Sequence, residues 1–298
     1  MIEVASVVLR WLQFAGAVVL FGVALFRLYS PPLNAEPSLR RLVLAGGLTL
    51  LIAAPLGLIA QTVIMAGSME QALDPAALDY VIRHTPLGLA HAARTALAVG
   101  VVVLLLSPLR DRLLWGLVAL LGLAVCASFA WSGHAGATTG AMGPMHLAAD
   151  VIHTTAAGAW LGALAAFVTM ARRRVPDTPA LHRSLARFAG VGTAAVVLLA
   201  GSGVVNAYVL VGPQNVLSAL ETPYGLLLGF KIVLFALMLG LAANHRFVLS
   251  PALRAPDASS ERDTLRRLRQ SLWLETNLGA ALLAVVAVMG TLAPPAAL

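Results

Sequence analysis

Apolar residues fill long windows of this chain, and polar residues gather in the short stretches between them. A run of about 20 apolar residues matches the hydrocarbon thickness of a bilayer. Such runs recur roughly over 4–28, 40–66, 87–106, 112–131, 144–171, 186–211, 224–249 and 271–293. Within each run the apolar character extends nearly all the way round a helical wheel. That marks helices buried in protein or facing lipid, not amphipathic helices of a soluble domain. The pattern predicts an all-α polytopic membrane protein, a bundle of eight transmembrane helices forming one transmembrane domain over 1–298. The first run does not read as a cleaved leader. Nothing basic precedes it, Arg10 sits inside it, and no small-residue cleavage site follows before Pro31 and Pro32.

Composition strengthens this reading. With 59% hydrophobic and 11% charged residues and a mean hydropathy of +0.87, the chain lies outside the range of globular soluble domains. Its net charge of +7 is explained by position. The segments after helices 1, 3, 5 and 7 hold Arg27, Arg40, Arg41, Arg110, Arg112, Arg172, Arg173, Arg174, Arg246 and Arg254, and further arginines flank them. The segments after helices 2, 4 and 6 hold Arg83, set among Glu70, Asp74, Asp79 and Glu221. The positive-inside rule makes the first group cytoplasmic and puts both termini on the outer, periplasmic side. Basic loops of this kind serve insertion and do not mark nucleic-acid binding. The run "RDTLRRLRQ" reads as a stop signal ahead of helix 8.

Three basic residues fall inside the helices: Arg10, Arg94 and Lys231, each about two turns from the outer end. A charge inside a span faces a cavity or a partner unless it snorkels to the headgroups. The histidines share this geography. His84, His91, His134, His146 and His153 fall in the outer half, as do Met1, Met65, Met69, Met142, Met145 and Met289. His182 and His245 fall at the cytoplasmic end beside arginines, where a solvated surface role is expected.

The densest polar stretch is "MGPMHLAADVIHTTAAGAW" at 142–160. His146, Asp150 and His153 are spaced i, i+4, i+7 and share one helical stripe, which Trp160 extends two turns deeper. Met142 lies above that stripe, and Pro144 suits the first turn. An imidazole at depth is oriented by the partner of its second nitrogen, so Asp150 is expected to orient or charge-balance the histidines. The preceding "WSGHAGATTGAMG" brings the chain round on small residues and offers His134. Imidazole and thioether donors together suit copper, the thioether selecting Cu(I); a structural zinc site would call for clustered thiolates. Candidate metal ligands are therefore His134, His146, His153, Met142, Met145 and His91. Asp150, Arg94, Lys231, Trp160 and Asn206 are candidate cavity residues around them.

"GHA" at 133–135, the H-x-x-x-D-x-x-H run closed by W-x-G at 146–162, and "TPYGLLLGFKIVLFALMLGLAANHRFVLSP" at 222–251 resemble the CopD (copper resistance protein D) family. The resemblance covers most of the chain and is strongest over 131–251. It implies about eight spans in the bacterial inner membrane and a part in copper homeostasis. Such proteins act beside a periplasmic CopC-type copper-binding protein and are regarded as moving copper inward. "MIEV" leaves no room for a fused N-terminal copper domain, so a donor of that kind is expected to be a separate partner.

A cytoplasmic route is thinly furnished: Met170, Met238 and His245 are scattered, and Cys126, the sole cysteine, reads as a small core residue. The rival reading is a b-type haem held by His91 and His153, making the chain an outer-face redox protein with Arg94 or Lys231 meeting propionates. In a carrier, Lys231 is expected to bond to an acid such as Asp150 or Glu221. "GSGVV" near 201 reads as small-residue packing within helix 6, and no phosphate-cradling loop suggests ATP. A transporter or metal-binding membrane protein is expected in preference to an enzyme.

Overall fold

The computed structural model describes residues 1–30, 36–172, 177–253 and 258–297. Pro31, Pro32, Arg173, Arg174 and Arg254 lie outside the described residues. Eight helices among those described are long and apolar enough to cross a membrane: α1 (Ile2–Tyr29), α2 (Pro37–Ala66), α3 (Pro86–Leu106), α4 (Asp111–Ser132), α5 (Gly140–Ala171), α6 (Thr178–Leu210), α7 (Pro223–Ala252) and α8 (Glu261–Met289). The chain is an all-α membrane protein with eight candidate spans, as the apolar windows predict.

Helix starts follow from local chemistry. The repeated Thr-Pro-x-Gly sequence opens both α3 and α7. Thr85 Oγ1 accepts from Gly88 N at 3.0 Å and Thr222 Oγ1 from Gly225 N at 3.1 Å, with proline in the first turn of each helix. Two helices begin earlier than their apolar windows. The arginines of 178–187 and 262–269 dilute the hydropathy there, yet Leu181, Leu185, Leu265, Leu268 and Leu272 are buried at helical spacing. The "RDTLRRLRQ" run is therefore the amphipathic first part of α8, and not a loop before it.

Helices α1 and α5 form the centre. Each packs against the other, and between them they also touch α2, α4, α6 and α8. Their crossing is made by glycines. Gly22, in a π-turn spanning Val19–Val23 of α1, lies backbone to backbone against Gly158 and Gly162 of α5. A small-xxx-small pair lets membrane helices approach this closely. Outer here denotes the end of the bundle that carries both termini, and inner the opposite end; at the inner end Arg27 pairs with Asp111 at 2.9 Å, tying α1 to α4.

The periphery is looser. Helix α7 packs chiefly on α8, and it meets α6 mainly through the segment His245–Ala252 at its inner end. Leu226, Phe230, Ile232, Val233 and Leu237 of α7 are exposed, as lipid-facing residues are. In the outer half, α6 and α7 therefore stand as the loosely joined walls of a cavity.

Candidate metal-handling cavities

Three cavities organise the polar residues of the helices. The first, about 190 Å³, lies in the outer half between α1, α5, α6, α7 and α8; His134, His146, Asp150, His153, Asn206 and Lys231 line it. The second outer-half cavity, also about 190 Å³, lies between α1, α2 and α3 and is lined by His91 and Arg94. The third, about 240 Å³, lies towards the inner end and is lined by Trp160, His245 and Glu275. The two outer cavities share Arg10 and His134 as a common wall. Arg10 does not snorkel: its guanidinium donates to Gly290 O and Ser132 O, both at 2.8 Å.

The hydrogen bonds of the histidines have one arrangement in common. Ser202 Oγ lies within hydrogen-bond reach of Leu198 O, a carbonyl that can only accept, so the hydroxyl proton goes there. Ser202 Oγ must then accept from His153 Nδ1–H, 3.0 Å away, which leaves His153 Nε2 a bare lone pair. Thr138 repeats the device. Its hydroxyl donates to His134 O at 3.0 Å and accepts from His146 Nδ1–H at 2.7 Å. His91 Nδ1–H donates to Leu87 O at 2.9 Å, leaving Nε2 beside Gly57. His134 uses the opposite nitrogen, with Nε2–H donating to Met289 O at 3.4 Å, so its Nδ1 is the bare one. Each of the four imidazoles has one nitrogen tied to an acceptor and one available as a ligand, the tautomer a metal requires. Half-buried outside the spans, His134 has its pKa lowered, first by desolvation and then by Arg10, against the bond to Met289 O, which raises it.

Several expectations need correction. Asp150 does not orient the histidines, whose partners are Thr138 and Ser202; it accepts from Asn206 Nδ2 at 3.3 Å. The Oδ1 of Asn206 is buried without a partner. Met142 and Met145 are exposed and line none of the three cavities, because they lie on the outward-facing side of the first two turns of α5. The thioether on the outer cavity is that of Met289. Lys231 lies at electrostatic range of Asp150 yet forms no ion pair among the described residues. His91 and His153 face different cavities, so they do not flank one space as two axial ligands of a single haem would. Among the described residues no three histidine, cysteine, aspartate or glutamate side chains converge as a metal cage.

Trp160 also belongs elsewhere. It continues the α5 stripe but lies in the inner cavity, where its Nε1 donates to Glu275 Oε1 at 3.1 Å. His245, expected at a solvated surface, is buried there. Its Nδ1 lies 3.1 Å from Glu275 Oε2 and its Nε2 2.7 Å from Ser271 Oγ. Both of its nitrogens are engaged, unlike those of the outer histidines. The sequence reading passed over Glu275, Gln13 and Tyr224. For Glu275 a signal was present, since it is a lone acid within the apolar run 271–293, and such acids seldom face lipid. Between the outer and inner cavities the Trp160 and Phe235 rings meet edge to face, their centroids 5.7 Å apart.

The chain's relatives are consistent with this assembly. Residues 1–144 match a family model described as the N-terminal domain of copper resistance protein D-like proteins, and residues 182–289 match one described as copper resistance protein D. The chain is 35% identical to "Copper resistance protein D" of Pseudomonas syringae pv. tomato, across 97% of this chain and 96% of that one. It is 27% identical to "Inner membrane protein YebZ" of Escherichia coli (strain K12), across 99% of this chain and 100% of that one. With "Copper transport protein CutJ" of Bacillus subtilis (strain 168) it shares 30% identity over 49% of this chain and 25% of that one. No solved structure matches it. From its N-terminal half to the end of α8, the chain belongs to the copper resistance protein D family.

Proposed function

We propose that this protein binds copper at the periplasmic face of the bacterial inner membrane and passes it inward. One observation carries the reading: His146 and His153, on one stripe of α5 and in one cavity, are each held by a hydroxyl in the tautomer that leaves a nitrogen free to ligate. In the same cavity the carboxylate of Asp150 offsets the charge of Lys231, and the unpartnered oxygen of Asn206 is a further donor for a metal. Met289 adds a thioether, the donor that selects Cu(I).

Because the donors line the wall without forming a closed cage, they act as successive stations for a metal in transit. Inward passage is barred by the Trp160–Phe235 contact, beyond which lies the inner cavity. Movement of α7 away from α5 would open this bar, and α7 is the least buried of the eight helices. The arginine distribution supports an outer cavity that faces the periplasm. A separate periplasmic CopC-type protein is the donor that the family resemblance suggests.

The test is a Cu(I) titration, against a chromophoric chelator, of the purified protein and its His146→Ala/His153→Ala variant. The double variant should bind more than tenfold more weakly, and membrane vesicles carrying it should take up less copper than vesicles carrying the parent. Unchanged affinity in a folded double variant would overturn the site. Unchanged uptake despite lost binding would overturn the inward route.

A further inference from the structure

We infer that the cavity between α1, α2 and α3 binds a small monovalent anion, a halide or a short carboxylate, on the guanidinium groups of Arg10 and Arg94. The argument is independent of the copper reading. Both arginines line this cavity, and among the described residues no acidic side chain does. Arg94 is 1% exposed and stacks on the Phe129 ring at 4.0 Å. Its hydrogen-bond acceptors, Ser128, Ser132 and Gln13, are all neutral. Arg10 likewise donates only to backbone carbonyls. The dipoles satisfy hydrogen-bonding geometry but leave the charge of Arg94 uncompensated and that of Arg10 offset by Asp150 alone.

The imbalance extends across the outer half. Arg10, Arg94 and Lys231 face the two outer cavities together with one carboxylate, that of Asp150. Asp150 lies in the neighbouring cavity, which Arg10 also lines, and Lys231, Asn206 and Arg10 share it. Among the described residues lining the two cavities, positive charges therefore exceed negative ones by two, inside a bundle where an uncompensated charge is strongly disfavoured.

Donors are also left over. A guanidinium has five N–H groups; Arg10 commits two of them and Arg94 four. The Ser6 hydroxyl accepts from Gln61 Nε2 at 2.7 Å, which leaves its own proton free on the same wall. Unused N–H and O–H donors around a positively charged, acid-free space are what a small anion requires.

The test uses the purified full chain in detergent, without added metal, and follows its thermal unfolding. Chloride, bromide or acetate is titrated at constant ionic strength against a bulky sulfonate too large for the cavity. The expected result is a saturable rise in the unfolding midpoint with chloride or acetate, and whichever saturates at lower concentration identifies the anion class. The response should be lost in Arg10→Gln and retained in Arg83→Gln, whose exposed guanidinium pairs with Asp79 on the surface. A parent protein indifferent to all three small anions would overturn the inference, whether or not Arg10→Gln folds. So would a response that disappears equally in Arg83→Gln, which would mark a general surface effect.

Discussion

Replacing Ser202 by alanine separates the ligand tautomer from the fold. In the native site Ser202 Oγ accepts from His153 Nδ1–H at 3.0 Å, while its proton is spent on Leu198 O. That second bond is dispensable, because a helical carbonyl already has its backbone partner and serine back-bonding adds little to a helix. Without the hydroxyl, His153 can shift its proton to Nε2 and point it into the cavity, so the free protein avoids a stranded donor and loses only about 0.5–1.5 kcal/mol. Copper binding then has to return the proton to Nδ1, which has lost its hydroxyl acceptor and is left with the Leu199 carbonyl, already bonded within its own helix. Losing the better of two acceptors costs a buried donor about 1 kcal/mol, which corresponds to roughly fivefold in affinity at about 1.4 kcal/mol per tenfold. Cu(I) competition titrations should therefore show Ser202→Ala weakened about fivefold, with an unfolding midpoint slightly below the parent's. If Ser202→Ala bound within about twofold of the parent while His153→Ala lost copper, hydroxyl control of the imidazole would be refuted.

At the central crossing, Gly162→Ala would place a methyl on the backbone of Gly22 and Val18. The helices would have to separate, with a cost of about 1–3 kcal/mol and a lowered thermal midpoint. Gly116→Ala, in open space, should leave the midpoint unchanged or raise it; equal behaviour of the two variants would discount the glycine contact. His134, its pKa lowered by desolvation and by Arg10, should stay neutral as pH falls through the ordinary histidine range near about 6.5. The unfolded chain takes up that proton first, so the stability contributed by His134 declines as pH falls below the unfolded value. An NMR titration of the labelled imidazole checks the direction, and a midpoint above the ordinary histidine value of about 6.5 would contradict it.

Sequence alone determined the eight helices, because lipid demands long apolar runs and each run is read locally. It also placed His146, Asp150 and His153 on one stripe, since helical spacing is a property of one segment. The Thr-Pro-x-Gly starts of α3 and α7 are equally local. What the imidazoles bond to was a tertiary decision: Ser202 lies on another helix and Thr138 in the preceding loop. Asp150, the obvious neighbour in sequence, went to Asn206. Trp160 shares the stripe of His153 but not its cavity, because two turns of helix carry it past the Phe235 ring to Glu275. Likewise His91 and His153, both in the outer half by sequence, face different cavities, since the contact of α1 with its neighbours, and the Arg10 side chain on it, stands between them. Periodicity assigns a residue to a face and a depth; only the packing of helices distant in sequence settles what that face meets.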